Sequence, residues 1–380
     1  MFRKEDFEDL RPYYDDEINP ALGRIISNPL FGKILDFLFP GADQEKIKKT
    51  LSLTYTAHDF QVRFMHPLVL SIISKTSAGV SVKGFEKLTP GTPYLFVANH
   101  RDIVLDSAIL QMLLVDHGHE TTEITFGSNL MINQFVVDFG KVNRMFKVER
   151  GGNKADLLDN SRKLSAYIRY AISTKKSSVW IAQRPGRTKN GNDKTETGLL
   201  KMFSLSGGKD FRKSFAELNI VPVSISYEYE PCCASKINEI LTVQKNGSYQ
   251  KRPDEDLVSI VTGITQPKGR IELAVGNPVN TVLHEINSHY TLNNKLNRLA
   301  EMMDKEIYGN YRLWPGNYIA FDMLEKEKRF SSFYSDEDRR TFLGYMEKVM
   351  RDIEGEKEAI KNLFLGIYAN PVKNANRPIH

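Results

Sequence analysis

The chain has 380 residues, with 52 Lys and Arg against 47 Asp and Glu, for a formal net charge of +5. Hydrophobic content of 41% and charged content of 26% suit a globular protein with a sizeable core; they exclude a disordered chain, a collagen-like fibre and a multi-span membrane protein. Apolar runs such as 112–115 fall far short of the ~20 residues that cross a bilayer.

Residues 1–10 are acidic with no apolar stretch behind them, so no secretory leader is expected. The two cysteines, Cys232 and Cys233, are neighbours, a poor geometry for a disulfide. Both points favour a cytoplasmic location.

Residues 1–82 read as helical. Leu30, Phe31, Ile34, Leu35 and Leu38 recur at helix spacing, and Asn28-Pro29 and Pro40-Gly41 punctuate the run. From Tyr94 onward the pattern changes to short β-prone runs at 94–98, 123–126, 178–182, 220–226 and 270–275, with helical stretches such as 102–115 and 155–173 between them. That alternation predicts an α/β fold, a mostly parallel mixed sheet flanked by helices. From about His284 the pattern is helical again, broken at Trp314-Pro315-Gly316. The expected organisation is a helical N-terminal region over 1–82, an α/β core over 83–280 and a helical C-terminal region over 281–380.

Charge is unevenly placed. Residues 141–213 hold 18 basic and 6 acidic side chains, a local +12, which leaves −7 for the rest of the chain. Such a block suits a phosphorylated ligand or an anionic membrane face, and equally a solvated basic surface. No nucleic-acid motif accompanies it, so a nucleic-acid partner is not expected.

Four constellations could carry chemistry. In the first, an apolar run ends in Asn99-His100-Arg101-Asp102, with Asp106 shortly behind. A His at the carboxyl end of a strand lies where open α/β sheets place their sites. A carboxylate behind an imidazole fixes its tautomer and lets it take a proton from an alcohol. Asp102 stands where a helix N-cap would. The second, Phe146-Lys147-Val148-Glu149-Arg150-Gly151-Gly152, delivers Arg150 at a turn. The third, Gln183-Arg184-Pro185-Gly186-Arg187-Thr188-Lys189, is a β-run opening into a basic turn, and guanidinium groups hold phosphate in fork geometry. The fourth, Val221-Pro222-Val223, sits in a buried-strand pattern.

In this order and spacing the four blocks resemble the glycerolipid acyltransferase superfamily, in particular its glycerol-3-phosphate and 1-acylglycerol-3-phosphate branch. Asn99, His100, Arg101 and Asp106 match the family's Asn-His-Arg-Ser block and its following Asp. Phe146, Val148 and Arg150 match Phe-Ile-x-Arg. Gly186 anchors the Phe-Pro-Glu-Gly-Thr-Arg block, and Val221, Pro222 and Val223 match the Val-Pro-Val strand. The chain departs from the family in three places. The His-to-Asp spacing is one residue longer, Asp102 stands for the family's Ser, and Pro185 stands for the Glu that helps hold the acceptor.

The resemblance implies transfer of a fatty acyl group from acyl-CoA or acyl carrier protein to the hydroxyl of glycerol 3-phosphate or a lysophospholipid-type acceptor. His100 would be the general base and Asp106 would orient it. Asn99, Arg101, Arg150, Arg184, Gly186, Arg187 and Lys189 would form the substrate-binding set. No acyl-enzyme, metal or redox cofactor is implied. Pro185 leaves open a different acceptor, for instance an amino-acid lipid, and the longer spacing leaves open a non-catalytic lipid-binding relative. A phospholipid-making enzyme without a span would sit peripherally on the cytoplasmic face of an anionic membrane. Residues 31–39 with Lys46-Ile47-Lys48-Lys49 are the candidate patch, against the alternative of a helix packed on the core.

Other candidates are weaker. Asp116-His117-Gly118-His119-Glu120 has metal-ligand residue types but reads as a helix end. Ser206-Gly207-Gly208-Lys209 lacks the P-loop's first Gly and its Ser/Thr. Cys232-Cys233 has no His nearby in sequence and reads as structural, and Trp314 reads as packing.

Overall fold

The computed structural model describes residues 3–151 and 153–376; Gly152 of the second block and the extreme chain ends lie outside them. Seven strands form one sheet: β1 (Ser77–Lys83), β2 (Leu95–Ala98), β3 (Glu123–Gly127), β4 (Met145–Val148), β5 (Val179–Ala182), β6 (Ile220–Tyr227) and β7 (Gly269–Val275). Their spatial order is β1-β7-β6-β2-β5-β3-β4. Every neighbouring pair is parallel except β6 with β7. This is the α/β, mostly parallel mixed sheet that the alternating pattern predicts.

β2 is central and buried along its whole length, because helices cover both faces, and a strand in that position reads as a continuous apolar run. Leu95 and Val97 face one core, shared with the helices Lys154–Ser173 and Leu292–Gly309. Phe96 and Ala98 face the other, shared with the helices His66–Thr76 and Leu105–Asp116. The chain leaves β2 toward β3 and β4 on one side, then returns through β5 and crosses to β6 on the other. The carboxyl end of β2 is therefore the topological switch point, the place where open α/β sheets put their ligand sites.

Two smaller cores flank the sheet. The N-terminal helices pack Ile18, Leu22, Phe31, Leu35, Phe60 and Phe64 together. The helices Pro315–Glu325, Asp336–Met350 and Lys357–Ala375 form a C-terminal bundle that takes in Cys233 and Ile237. Both cysteines are buried and unpaired. Trp314 is also buried, with the guanidinium groups of Arg270 and Arg312 lying 4.4 and 5.3 Å from its ring.

The sequence reading needs correction in two places. β1 falls inside the stretch read as helical; it is an edge strand whose Ser-Ala-Gly-Val-Ser-Val-Lys residues are mostly exposed, so no apolar alternation marks it. The helix expected over 102–115 begins at Leu105 instead. The side chain of Asp102 accepts from the backbone N–H groups of Val104 and Leu105 at 2.9 and 2.8 Å, which holds the preceding turn outside the helix.

Candidate active site

His100 lies two residues beyond β2, and the end of the sheet folds around it. Strand alternation sends it to the face of Phe96 and Ala98. There its ring meets the edge of the Trp180 ring on β5, with centroids 5.7 Å apart and planes at 75°. Nδ1 lies 2.8 Å from Oδ2 of Asp106, whose side chain is 1% exposed while that of His100 is 13% exposed. Asp106 Oδ2 also accepts from the backbone N–H groups of Arg101 and Asp102 at 2.6 and 3.0 Å. The extra residue in the His-to-Asp spacing is thus taken up by a turn that wraps the carboxylate. An ionised Asp106 only accepts hydrogen bonds, so the ring proton sits on Nδ1 and the lone pair on Nε2. An imidazole in this state can accept a proton from an alcohol.

Asp102 sits behind this pair. One oxygen caps the following helix. The other, Oδ2, is buried without a hydrogen-bond partner. It lies so close to the helix Glu255–Thr265 that a Cβ on Gly263 would be 2.1 Å away. Burial, together with the neighbouring Asp106 charge, pushes the Asp102 carboxyl up from its ordinary value. Lys268 sits nearby with its ammonium on Thr76 Oγ1 and the Gln266 carbonyl at 2.9 and 2.8 Å. Burial pulls Lys268 down to about 8, with the charges of Asp102 and Cys232 opposing.

The third block folds across the same end. The backbone N–H of Thr188 donates to the His100 carbonyl at 2.8 Å. Gly186 turns the chain with φ at +71°, a conformation glycine adopts without strain. Arg187, 7% exposed, comes back into the protein, and its Nη1 is buried without a partner. Its charge acts on Asp102 and Cys232. Nε of Arg184 is likewise buried and unpartnered. Pro185 is exposed at the tip of this turn.

The other candidates are placed differently. Asn99 and Arg101 point to the opposite face and are fully engaged. Asn99 bridges β2 to β6 through both Ile225 backbone groups, at 3.0 and 2.8 Å, and donates to Asp193 at 3.1 Å. Arg101 pairs with Asp193 at 2.6 Å and Glu230 at 3.0 Å, all three buried. Burial alone would raise the Asp193 carboxyl, but Arg101 and the Thr188, Tyr311 and Asn99 side chains hold it below its ordinary value. Lys236 closes this network onto Glu230 and onto the Arg101 carbonyl. Lys189 is held by Glu239. Arg150 is exposed beyond β4, three strands from β2 or about 14 Å across the sheet. Its side chain lies back against Gly127 at the end of β3. Arg184 and Arg187 thus share the turn that bonds to His100 through Thr188, while Arg150 follows the far edge strand β4.

His117 stacks on Phe85 with ring centroids 4.5 Å apart, and no group of metal-binding side chains occurs among the described residues. Asp193, Glu230 and Tyr227 were not apparent in the sequence, because each reaches the site from at least 92 positions away.

Residues 79–226 match the protein-family model described as Acyltransferase. That span runs from within β1 to Ser226 in β6 and contains all four blocks. No curated protein matches the chain. Among solved structures it is similar to PlsC, the 1-acyl-sn-glycerophosphate acyltransferase of Thermotoga maritima. The match has 13% identity and TM-score 0.41, and covers 78% of this chain and 97% of that one.

Proposed function

We propose that the protein, whose residues 79–226 match the family model described as Acyltransferase, moves a fatty acyl group from an acyl-CoA or acyl carrier protein thioester to the hydroxyl of a phosphorylated glycerol acceptor, glycerol 3-phosphate or its monoacyl form. The observation that carries this reading is the 2.8 Å contact between His100 Nδ1 and a buried Asp106 at the switch point of the sheet. The acceptor hydroxyl gives its proton to His100 Nε2 as its oxygen attacks the thioester carbonyl. The tetrahedral intermediate collapses with loss of the thiolate, which takes the proton back from the imidazolium. Asp106 keeps the ring in the right tautomer and stabilises its charged form. The thioester is already activated, so no acyl-enzyme is needed.

Arg187 and Arg184 hold the acceptor phosphate. Each carries a buried guanidinium nitrogen without a protein partner, and a phosphate supplies the acceptor oxygens such atoms require. Arg150 at the rim serves a longer acceptor or the incoming donor. Asn99 and Arg101 shape the site from behind.

A lipid product must be released to a bilayer, and we assign the protein peripherally to the cytoplasmic face of an anionic membrane. Among the described residues no helix is long and apolar enough to cross a bilayer. On the helix Pro29–Leu38, Phe31 and Leu35 are core, while Leu30 and Phe37 are exposed beside Lys33. Leu53 and Tyr55 are exposed as well, and so are Lys46 and Lys49. Exposed apolar and basic side chains in this N-terminal region suit a peripheral contact.

Purified protein given labelled acyl-CoA and acyl carrier protein with glycerol 3-phosphate, lysophosphatidic acid and an amino-acid lyso-lipid tests the reading. Labelled product on a phosphorylated glycerol acceptor is expected. Product only on the amino-acid lipid would move the acceptor, in line with Pro185. No product on any acceptor would mark a non-catalytic relative. Flotation with phosphatidylglycerol vesicles tests the membrane contact, and Phe37→Glu should weaken it.

A further inference from the structure

Tyr227 closes β6 on the face that carries Val221, Val223 and Ile225. The parallel register of β6 with β2 sets Val221 beside Phe96 and Val223 beside Ala98. The same alternation brings Tyr227 beneath the His100 turn. Its hydroxyl lies 2.9 Å from Oδ1 of Asp106, the oxygen that faces away from His100. Both residues are buried, at 6% and 2% exposure. A buried phenol needs a partner, and this one is spent on the carboxylate that orients the ring.

We propose that Tyr227 is a positioning residue for acyl transfer, holding one oxygen of Asp106 while the other holds the His100 ring, so that β6 sets the angle of the imidazole and its basicity. This rests on His100 being the base. The phenol donates to the carboxylate and draws off part of its negative charge. The imidazolium that forms in the reaction is then less stabilised than it would be beside a carboxylate without the phenol. The other charged groups facing this pair are Asp102 beside Asp106, Arg187 and Lys268 acting on Asp102, and Glu230 near Tyr227. None of them is a hydrogen-bond partner of the Tyr227 hydroxyl, which goes to Asp106.

Tyr227→Phe removes the donor and keeps the ring. Turnover should fall about three- to tenfold, with the acceptor KM unchanged. The acid limb of the pH–rate profile should move up by about half a pH unit. Incorporation of 3-fluorotyrosine at 227 strengthens the donor and should move the limb down, and it decides the matter if Tyr227→Phe does not fold. In an Asp106→Ala background, Tyr227→Phe should cost nothing further. A wild-type profile in both the Phe and the fluorotyrosine proteins would overturn the proposal, as would an undiminished loss in the Asp106→Ala background. His100→Ala serves as the control: if it transfers acyl groups normally, the base assignment has failed instead. The ¹⁵N titration of the His100 ring in wild type and Tyr227→Phe then still decides whether Tyr227 reaches the imidazole, an unshifted titration overturning that coupling.

Discussion

Two polar clusters leave the carboxyl end of β2 in opposite directions. On one face, Asn99 and Arg101 enter a network with Asp193, Glu230 and Lys236 in which each charge meets an opposite one and the strands β2 and β6 are tied together. On the other, His100 has one ring nitrogen fixed by Asp106, and the nearby Arg184 and Arg187 retain buried nitrogens with no partner. The first cluster is saturated; the second has unspent hydrogen-bonding capacity. A short Asn-His-Arg motif thus serves two purposes: its odd-numbered residues build the switch point and its even-numbered residue turns to the face of Asp106 and Trp180, because successive side chains of a strand point to opposite faces. Of the two clusters, only the second has hydrogen-bonding nitrogens without a protein partner.

Substitutions can break or sharpen this contrast. The largest expected stability effect is in the saturated cluster. Arg101→Ala leaves Asp193 buried without a counter-charge and Glu230 with Lys236 alone, and should cost about 3–5 kcal/mol, read as a shift of the denaturant midpoint. An Arg101→Ala protein of wild-type stability would remove the distinction between the clusters.

Gly263→Ala acts at the border of the two. Its Cβ would stand 2.1 Å from Asp102 Oδ2, so either the helix or the carboxylate must move, for about 1–3 kcal/mol in thermal unfolding. Arg187→Ala should instead spare stability and raise the acceptor KM about tenfold, with a smaller change in turnover, as expected for a group that holds ground and transition states alike. An unchanged KM would return Arg187 to the structural side.

The smallest effect concerns pH. Burial raises the Asp304 carboxyl to about 6, although the Thr195 groups it accepts from pull it down. Its unfolded value lies near the ordinary ~3.9. Between those values the folded state holds a proton that the unfolded state has released. Stability should therefore be greatest below that range and fall as pH rises through it toward 6. Asp304→Asn should flatten this slope and add about 1 kcal/mol at neutral pH, measured by denaturation across pH 4–7.

The sheet was legible where strands are buried on both faces. β2, β3, β5, β6 and β7 announce themselves as apolar or β-branched runs, and their alternation with helices gave the fold class. β1 did not, because an exposed edge strand with only Val80 and Val82 to mark it carries no burial pattern. At the site, His100 and Asp106 were visible because they lie close in sequence. The engagement of Arg101 was not, since its partners lie 92 and 129 positions away. Nor was Tyr227, whose contact with Asp106 spans 121 positions. Arg150 carried a motif but not a location; only the strand order shows how far β4 stands from β2.

The most direct test of the division between the clusters is to measure turnover and stability together for His100→Ala. The side chain is partly exposed, and Asp106 keeps its backbone donors and Tyr227 when the ring is gone. Unfolding free energy should therefore change by no more than about 1 kcal/mol, while acyl transfer should fall by ~10²–10⁴-fold. A folded His100→Ala protein that transfers acyl groups at the wild-type rate would contradict the assignment of His100 as the base.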